Sequence, residues 1–280
     1  MFPKTAAQYL ERLRDEQACV EQVVQSRWPN GMVCPKCNGR VFWPRRRRFV
    51  YQCRACGFDV SPTAGTILQD HRVPIRDWFW TAYRVTTCTR GLSANQLRKE
   101  LGCTCKTAWR MLHHFRCAMK TEPRRPLEGT VELDETYLSK AAGGECSANS
   151  RMVLGAVAVL YPGMARERSG RLHLAIADGG RPYGESIRQF VQEYIDRSAK
   201  VKCQRWWDLG HPHDRESTPH IEKALTKLKT WLARTHRNVD PNSLPDYLSE
   251  FAFRFHRGET PMKSVETLLK LACNVRSKCG

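Results

Sequence analysis

Two pairs of cysteines constrain this chain more than any other feature. Cys34-Pro-Lys-Cys37 and Cys53-Arg-Ala-Cys56 stand fifteen residues apart, a spacing at which two knuckles present four thiolates to one tetrahedral Zn²⁺. Between them, Val41-Phe42-Trp43 and Arg48-Phe49-Val50-Tyr51 read as two short strands of a hairpin, with Gly39 and Gly57 relieving the turn after each knuckle. So small a unit cannot fold on its apolar core alone, and the metal supplies the missing free energy. The predicted zinc ribbon covers residues 31–66. It follows an N-terminal helical lead over 1–30, in which Tyr9, Leu10 and Leu13 share one face. The chain has 13 cysteines, an odd number, and its N-terminus lacks the apolar core of a signal peptide. A disulfide scaffold is therefore not expected, and the compartment is reducing, most simply the cytoplasm. Cys103, Cys105 and the others outside the knuckles read as small buried hydrophobes or inert thiols.

Charge divides the chain unevenly. Residues 1–127 hold 23 Lys and Arg against 9 Asp and Glu, a net of +14, while the remainder holds 23 against 19, a net of +4. A basic half joined to a near-neutral half points to a polyanion-binding module attached to a second domain. Length agrees, since 280 residues accommodate about two domains. No run of 18 apolar residues exists, so no membrane span is expected. The ribbon hairpin carries Arg45, Arg46, Arg47 and Arg48 in a row, a cluster suited to phosphate without reading sequence.

From Pro74 the apolar residues recur at helical spacing: Trp78, Phe79, Ala82, Tyr83 and Val85. Ser93 with Gln96 three residues on forms a capping-box signature, and Leu97 and Leu101 follow one turn apart. Gly102 ends that helix and Thr104 restarts the chain, with Ala108, Trp109, Leu112 and Phe115 expected on the inner face of the next. Two helices joined by a short glycine-containing turn, after a supporting helix, predict a helix-turn-helix unit over 72–120. Its outward candidates for phosphate and base-edge contact are Thr104, Lys106, Thr107, Arg110 and His114. Thr121 to Leu127, with two prolines, reads as a linker to a core spanning 128–280.

That core opens with Gly129 to Tyr137, GTVELDETY, a short strand that delivers Asp134 to its end. Rigidly held acids at a strand end suit Mg²⁺, which prefers hard oxygen ligands. Residues 150–160 and 171–177 fit the next two strands, the first almost wholly apolar as a central buried strand should be. Residues 187–195 fit a helix, 200–203 a fourth strand, and Thr218 onward a helix through Leu225, Leu228 and Trp231. Phe251, Phe253 and Phe255 read as core or dimer packing. His211, His213, Asp214 and Glu216 have metal-ligand residue types but the setting of a solvated turn, and no second zinc is assigned to them.

Taken in order, Trp28-Pro-Asn-Gly31, the two knuckles, Ala64-Gly65-Thr66-Ile67, Leu92-Ser93 through Thr107-Ala108-Trp109, and Val131 to Tyr137 carry a family likeness. It returns in Ile221-Glu222 through Leu228-Lys229 and in Tyr247 to Phe255. The chain resembles a bacterial insertion-sequence transposase with an N-terminal zinc ribbon, a helix-turn-helix and a DDE-type RNase H-like core. The resemblance implies an α+β multidomain architecture: zinc ribbon, three-helix helix-turn-helix unit, then RNase H-like mixed α/β core. It further implies double-stranded DNA as partner, both element terminal repeats and target, with a homodimer or higher oligomer on the DNA in the nucleoid. Two Mg²⁺ ions would be held by acids from separate elements, one activating a hydroxyl and the other stabilising the leaving oxygen.

Asp134 matches the first acid of such a site. At the end of the fourth strand, where the resemblance implies an Asp, this chain has Gln204, and only fifteen residues separate it from His220. A neutral amide forfeits most of the charge that holds a divalent ion. Asp208 or Asp214 substitutes only if the local register differs. The third position falls to Glu222 or His220, with Lys229 two helical turns beyond for phosphate. Three readings result: an active transposase, a DNA-binding descendant that no longer cuts, and a zinc-ribbon transcription factor with an unrelated α/β domain.

Overall fold

The computed structural model describes residues 2–45, 49–69, 73–138, 150–177, 180, 182–204, 213–215, 217–236, 239–255, 257 and 260–274. In chain order the elements are α1 (Ala6–Arg12), α2 (Glu16–Arg27), β1 (Phe42–Pro44), β2 (Tyr51–Cys53), β3 (Asp59–Val60), α3 (Ile75–Thr87), α4 (Ala94–Leu101) and α5 (Cys105–Lys120). There follow β4 (Thr130–Leu138), β5 (Arg151–Leu160), β6 (Arg168–Ile176), α6 (Tyr183–Tyr194), β7 (Lys200–Cys203), β8 (His213–Arg215), α7 (Pro219–Thr235), α8 (Leu244–Phe255) and α9 (Pro261–Asn274). They form two compact units, Met1–Glu122 with Thr260–Gly280, and Pro123–Glu259.

In the first unit the N-terminal lead breaks into two helices. Asp15 accepts from Gln17 N–H and caps α2, which stops α1 at Arg12. Tyr9 is buried, its hydroxyl donating to the Phe79 carbonyl at 2.9 Å and its ring stacked with Tyr83 at 5.6 Å. Leu10, expected beside it, is 37% exposed because the helix is too short to present a continuous stripe. Ser93 caps α4 as expected, but the Gln96 amide reaches forward to Glu100 instead of back to the cap. Gly102 closes α4 at φ 65°, a left-handed conformation that favours glycine, and Thr104 caps α5.

The expected 128–280 core is too long at its C-terminal end. Helix α9 buries Val265, Leu268, Leu269 and Ala272 and packs against α2, α3 and α5, so the C-terminal helix completes the first unit. Its apolar stripe resembles that of any core helix, and pattern alone does not say which core it enters.

The second unit is built on a five-stranded mixed sheet in the order β6-β5-β4-β7-β8. Strand β5 runs antiparallel to both β4 and β6, while β7 is parallel to β4 and β8 to β7. Strand β5 is apolar on both faces because both are covered. Leu154, Ala156 and Ala158 join Ile187, Phe190 and Val191 of α6 in one core. Val153 and Val157 join Ile221, Leu225 and Leu228 of α7 and Leu248 and Phe251 of α8 in the other. A Cβ on Gly155 would lie 3.0 Å from Ile221 and 3.2 Å from Leu225, so this glycine lets α7 seat directly on the sheet.

The segment read as a linker over 121–127 is only partly one. Leu127 is fully buried, exchanges backbone hydrogen bonds with Tyr194 and Asp196, and bridges Ile195. Arg124 donates to the Tyr194 hydroxyl and to Ser249, and Arg171 donates to the Arg125 and Pro126 carbonyls. Two prolines here mark an extended strap docked on the second unit, held by side chains far away in sequence.

Candidate functional site

The ribbon brings its four cysteines together. Cys34, Cys37, Cys53 and Cys56 place their sulfurs within 4.8 Å of one another. Cys34 and Cys56 are 3.6 Å apart, and Cys37 and Cys53 3.5 Å. Four thiolates about 2.3 Å from a tetrahedral Zn²⁺ would be separated by about 3.8 Å, so the cluster fits that ion with a slight expansion. Burial raises the Cys34 thiol, but the Lys36 and Cys37 N–H groups and the neighbouring thiols outweigh it and hold it at about 7. Gly39 makes the cradle possible, since a Cβ there would lie 3.0 Å from Cys53 Sγ. The supporting sheet has three strands where two were expected: β1 pairs with β2 and β2 with β3. Among the arginines of the hairpin, Arg45 is exposed and ion-paired with Asp59 at 3.2 Å. Arg46, Arg47 and Arg48 lie outside the described residues.

Helix α5 buries Ala108, Leu112 and Phe115 as expected, but reverses two residues. His114 is buried, 5.9 Å from Trp78 in an edge-on ring contact, and cannot face outward. Trp109, expected inside, is 45% exposed. Beside the expected Ala108, Leu112 and Phe115, the inner face takes in Met111, Ala118 and Met119. At about 100° per residue Trp109 and His114 fall at opposite margins of the buried stripe, where periodicity does not decide which is covered. Thr104, Lys106 and Arg110 are exposed and Thr107 is half-buried. The Thr104 hydroxyl caps the helix at Thr107 N–H and lies 2.9 Å from the Thr107 hydroxyl.

A second cluster forms where β4, β7 and α7 meet. Alternation along β4 puts Glu132 and Asp134 on the face covered by α7, since their partners across β5 are Val157 and Gly155. Asp134 is half-buried, and one carboxylate oxygen accepts from Glu135 N–H at 2.9 Å. In parallel register Leu133 faces Cys203, so Gln204, the residue that follows β7, comes next to the position of Asp134. The Gln204 amide donates to Glu222, which also accepts from the Thr218 hydroxyl at 3.3 Å. Asp134, Gln204 and Glu222 thus share one corner of the sheet.

His220, the alternative to Glu222, has both ring nitrogens engaged elsewhere. Nδ1 lies 3.1 Å from the Ser169 hydroxyl and Nε2 2.8 Å from Glu167, whose carboxyl this contact holds below its usual range. Lys229 is exposed on α7, about 10 Å along the axis from Glu222. Asp208 and the side chains of His211, His213, Asp214 and Glu216 lie outside the described residues.

Glu132 is a site residue that the sequence reading missed. It is 3% exposed and accepts from the backbone N–H groups of His220 at 2.7 Å and Ile221 at 3.0 Å. Burial pushes its carboxyl above the usual range, and the two N–H groups pull partly against that. It thereby pins the first turn of α7, and with it Glu222, to the strand that carries Asp134. An acid at an otherwise inward position of a buried strand was the available signal.

The ribbon and what precedes it match a family model described as a transposase zinc-ribbon domain over residues 14–58. The chain is also 32% identical over 297 residues to an uncharacterized protein in transposable element ISH50 of Halobacterium salinarum, covering 92% of this chain and 97% of that one. The chain belongs to the insertion-sequence transposases that carry an N-terminal zinc ribbon. Among the described residues, no helix is long and apolar enough to cross a membrane.

Proposed function

We propose that this transposase binds the terminal repeats of its element and carries out divalent-metal-dependent DNA strand cleavage and transfer. In this reading α3, α4 and α5 form a helix-turn-helix on duplex DNA, and the second unit is an RNase H-like core that acts as a dimer or larger assembly on DNA. The observation that carries it is the corner at which Asp134, Gln204 and Glu222 meet, at the end of the parallel β4–β7 pair. The mixed strand order, with the strand bearing Asp134 at its centre, agrees with such a core. The turn at Gly102 and the exposed cations of α5 support the DNA-binding half.

Two carboxylates and one amide oxygen suit a single divalent cation better than a pair, because a neutral amide adds no charge. Mg²⁺ bound there would supply Lewis-acid stabilisation of charge developing on phosphate. The chain's own contribution is to hold the donors. Glu132 fixes the start of α7, Gly155 sets its depth, and Thr218 orients Glu222. Lys229, exposed two turns beyond Glu222 on α7, would pair with a flanking phosphate.

Gln204 favours a second reading, a protein that binds ends without cutting them. One experiment separates the two: incubation of labelled element ends with the wild-type protein and Asp134→Ala in Mg²⁺ or Mn²⁺. Nicking and strand transfer lost in Asp134→Ala support the enzyme. Tight end binding with no nicking by either protein supports the non-cutting reading.

A further inference from the structure

Exposure of a single tryptophan is ordinary, but the setting of Trp109 is not. Its indole lies parallel to the His113 ring, with centroids 5.0 Å apart and planes 10° from parallel, so its direction is braced from the next turn of α5. Lys106, one turn earlier, and Arg110, the next residue, are both exposed and lie on one side of it around the helix. The remaining outward candidates contribute less, since Thr104 and Thr107 face each other across the helix cap and His114 is buried. The leading half of α5 therefore offers an indole beside two cations, within a segment of net charge +14 over residues 1–127.

Long flexible cations suit phosphates, which carry affinity and no sequence information. A rigid apolar plate suits the floor of a groove. The apolar mark in the major groove is the thymine 5-methyl group. We infer that Trp109 makes an apolar contact with thymine methyl groups in the major groove of element-end DNA, with Lys106 and Arg110 on the flanking phosphates. This rests on the reading that α4 and α5 dock on duplex DNA. It assigns sequence preference to a residue that periodicity placed in the core.

The test uses the full-length, zinc-loaded protein and three kinds of duplex: the native element end, a scrambled end, and native ends in which thymines are replaced one at a time by deoxyuridine. Wild type should bind at least one uracil-containing end less tightly than the native end, by up to tenfold, about the effect of one lost base contact. Trp109→Ala should bind that probe and the native end alike, while its salt dependence stays that of wild type. Trp109→Gln, which keeps the helix-forming tendency, should behave the same way. Arg110→Ala should instead flatten the salt dependence and keep the uracil effect. Wild type indifferent to every uracil substitution, or either Trp109 variant retaining the effect, would overturn the inference. A wild-type protein that does not prefer native over scrambled ends would overturn the end-binding reading itself.

Discussion

Glu132 and Gly155 show how single residues set the position of a helix over the sheet. Glu132 accepts two backbone N–H groups at the start of α7 from a position that is 3% exposed. Removing the acceptor leaves both donors buried, so Glu132→Ala should cost about 2 kcal/mol. Glu132→Gln retains a carbonyl oxygen and should recover most of that loss. Urea denaturation of the three proteins checks this, and equal losses in the two variants would show that the hydrogen bonds are not what Glu132 contributes. At this scale the sequence was readable where chemistry was paired and spaced, as in the four cysteines. Asp134, expected at a strand end, instead lies at the middle of β4, which stays paired with β5 through Leu138; only the parallel pairing with β7 stops beside it. The sequence was not readable at Trp109 and His114. Both are amphipathic aromatics at the margins of a stripe whose centre, Ala108, Leu112 and Phe115, is buried as expected.

Among the elements, α3 and α4 are clamped by a two-pronged contact. Arg84 donates to both oxygens of Glu100 at 2.8 and 2.9 Å, and Trp80 Nε1 adds a third bond at 3.1 Å. The Arg84 hydrogen bonds hold the Glu100 carboxyl below its usual 4.5 despite partial burial. A depressed acid stabilises the fold above its unfolded value and loses that contribution as pH falls through the folded value. The stability difference between wild type and Glu100→Gln should therefore be about 1 kcal/mol near neutrality, given the partial exposure of both side chains. It should shrink steadily below pH 4.5. Denaturation midpoints of the two proteins across pH decide it, and a difference that grows on acidification contradicts the assignment.

The ribbon carries a separate prediction. Cys53→Ser should release zinc and expose residues 31–66 to proteolysis, because so little apolar surface remains to hold the three strands. Full zinc content with unchanged protection would refute the four-thiolate site. Elements were legible where periodicity was long. The strands over 151–160 and 200–203 and the helix from 219 appear close to their expected bounds. The strap before β4 was misread as a linker because its anchors, Tyr194, Ser249 and Arg171, are remote in sequence.

For the whole molecule, the sharp change in charge near residue 127 falls within a few residues of the junction between the two units. Composition therefore exposed the junction, while the return of α9 to the first unit needed three dimensions. The chemistry proposed for the second unit depends on one corner, and there the sequence departs from its family expectation at Gln204. That departure supplies the most direct measurement: Mg²⁺-dependent nicking of labelled element ends by Gln204→Asp, beside wild type and Gln204→Asp combined with Asp134→Ala. If position 204 is the second acid's place beside Asp134, Gln204→Asp should nick at least tenfold faster than wild type, and the added Asp134→Ala should abolish the gain. Nicking indifferent to both residues would contradict the account.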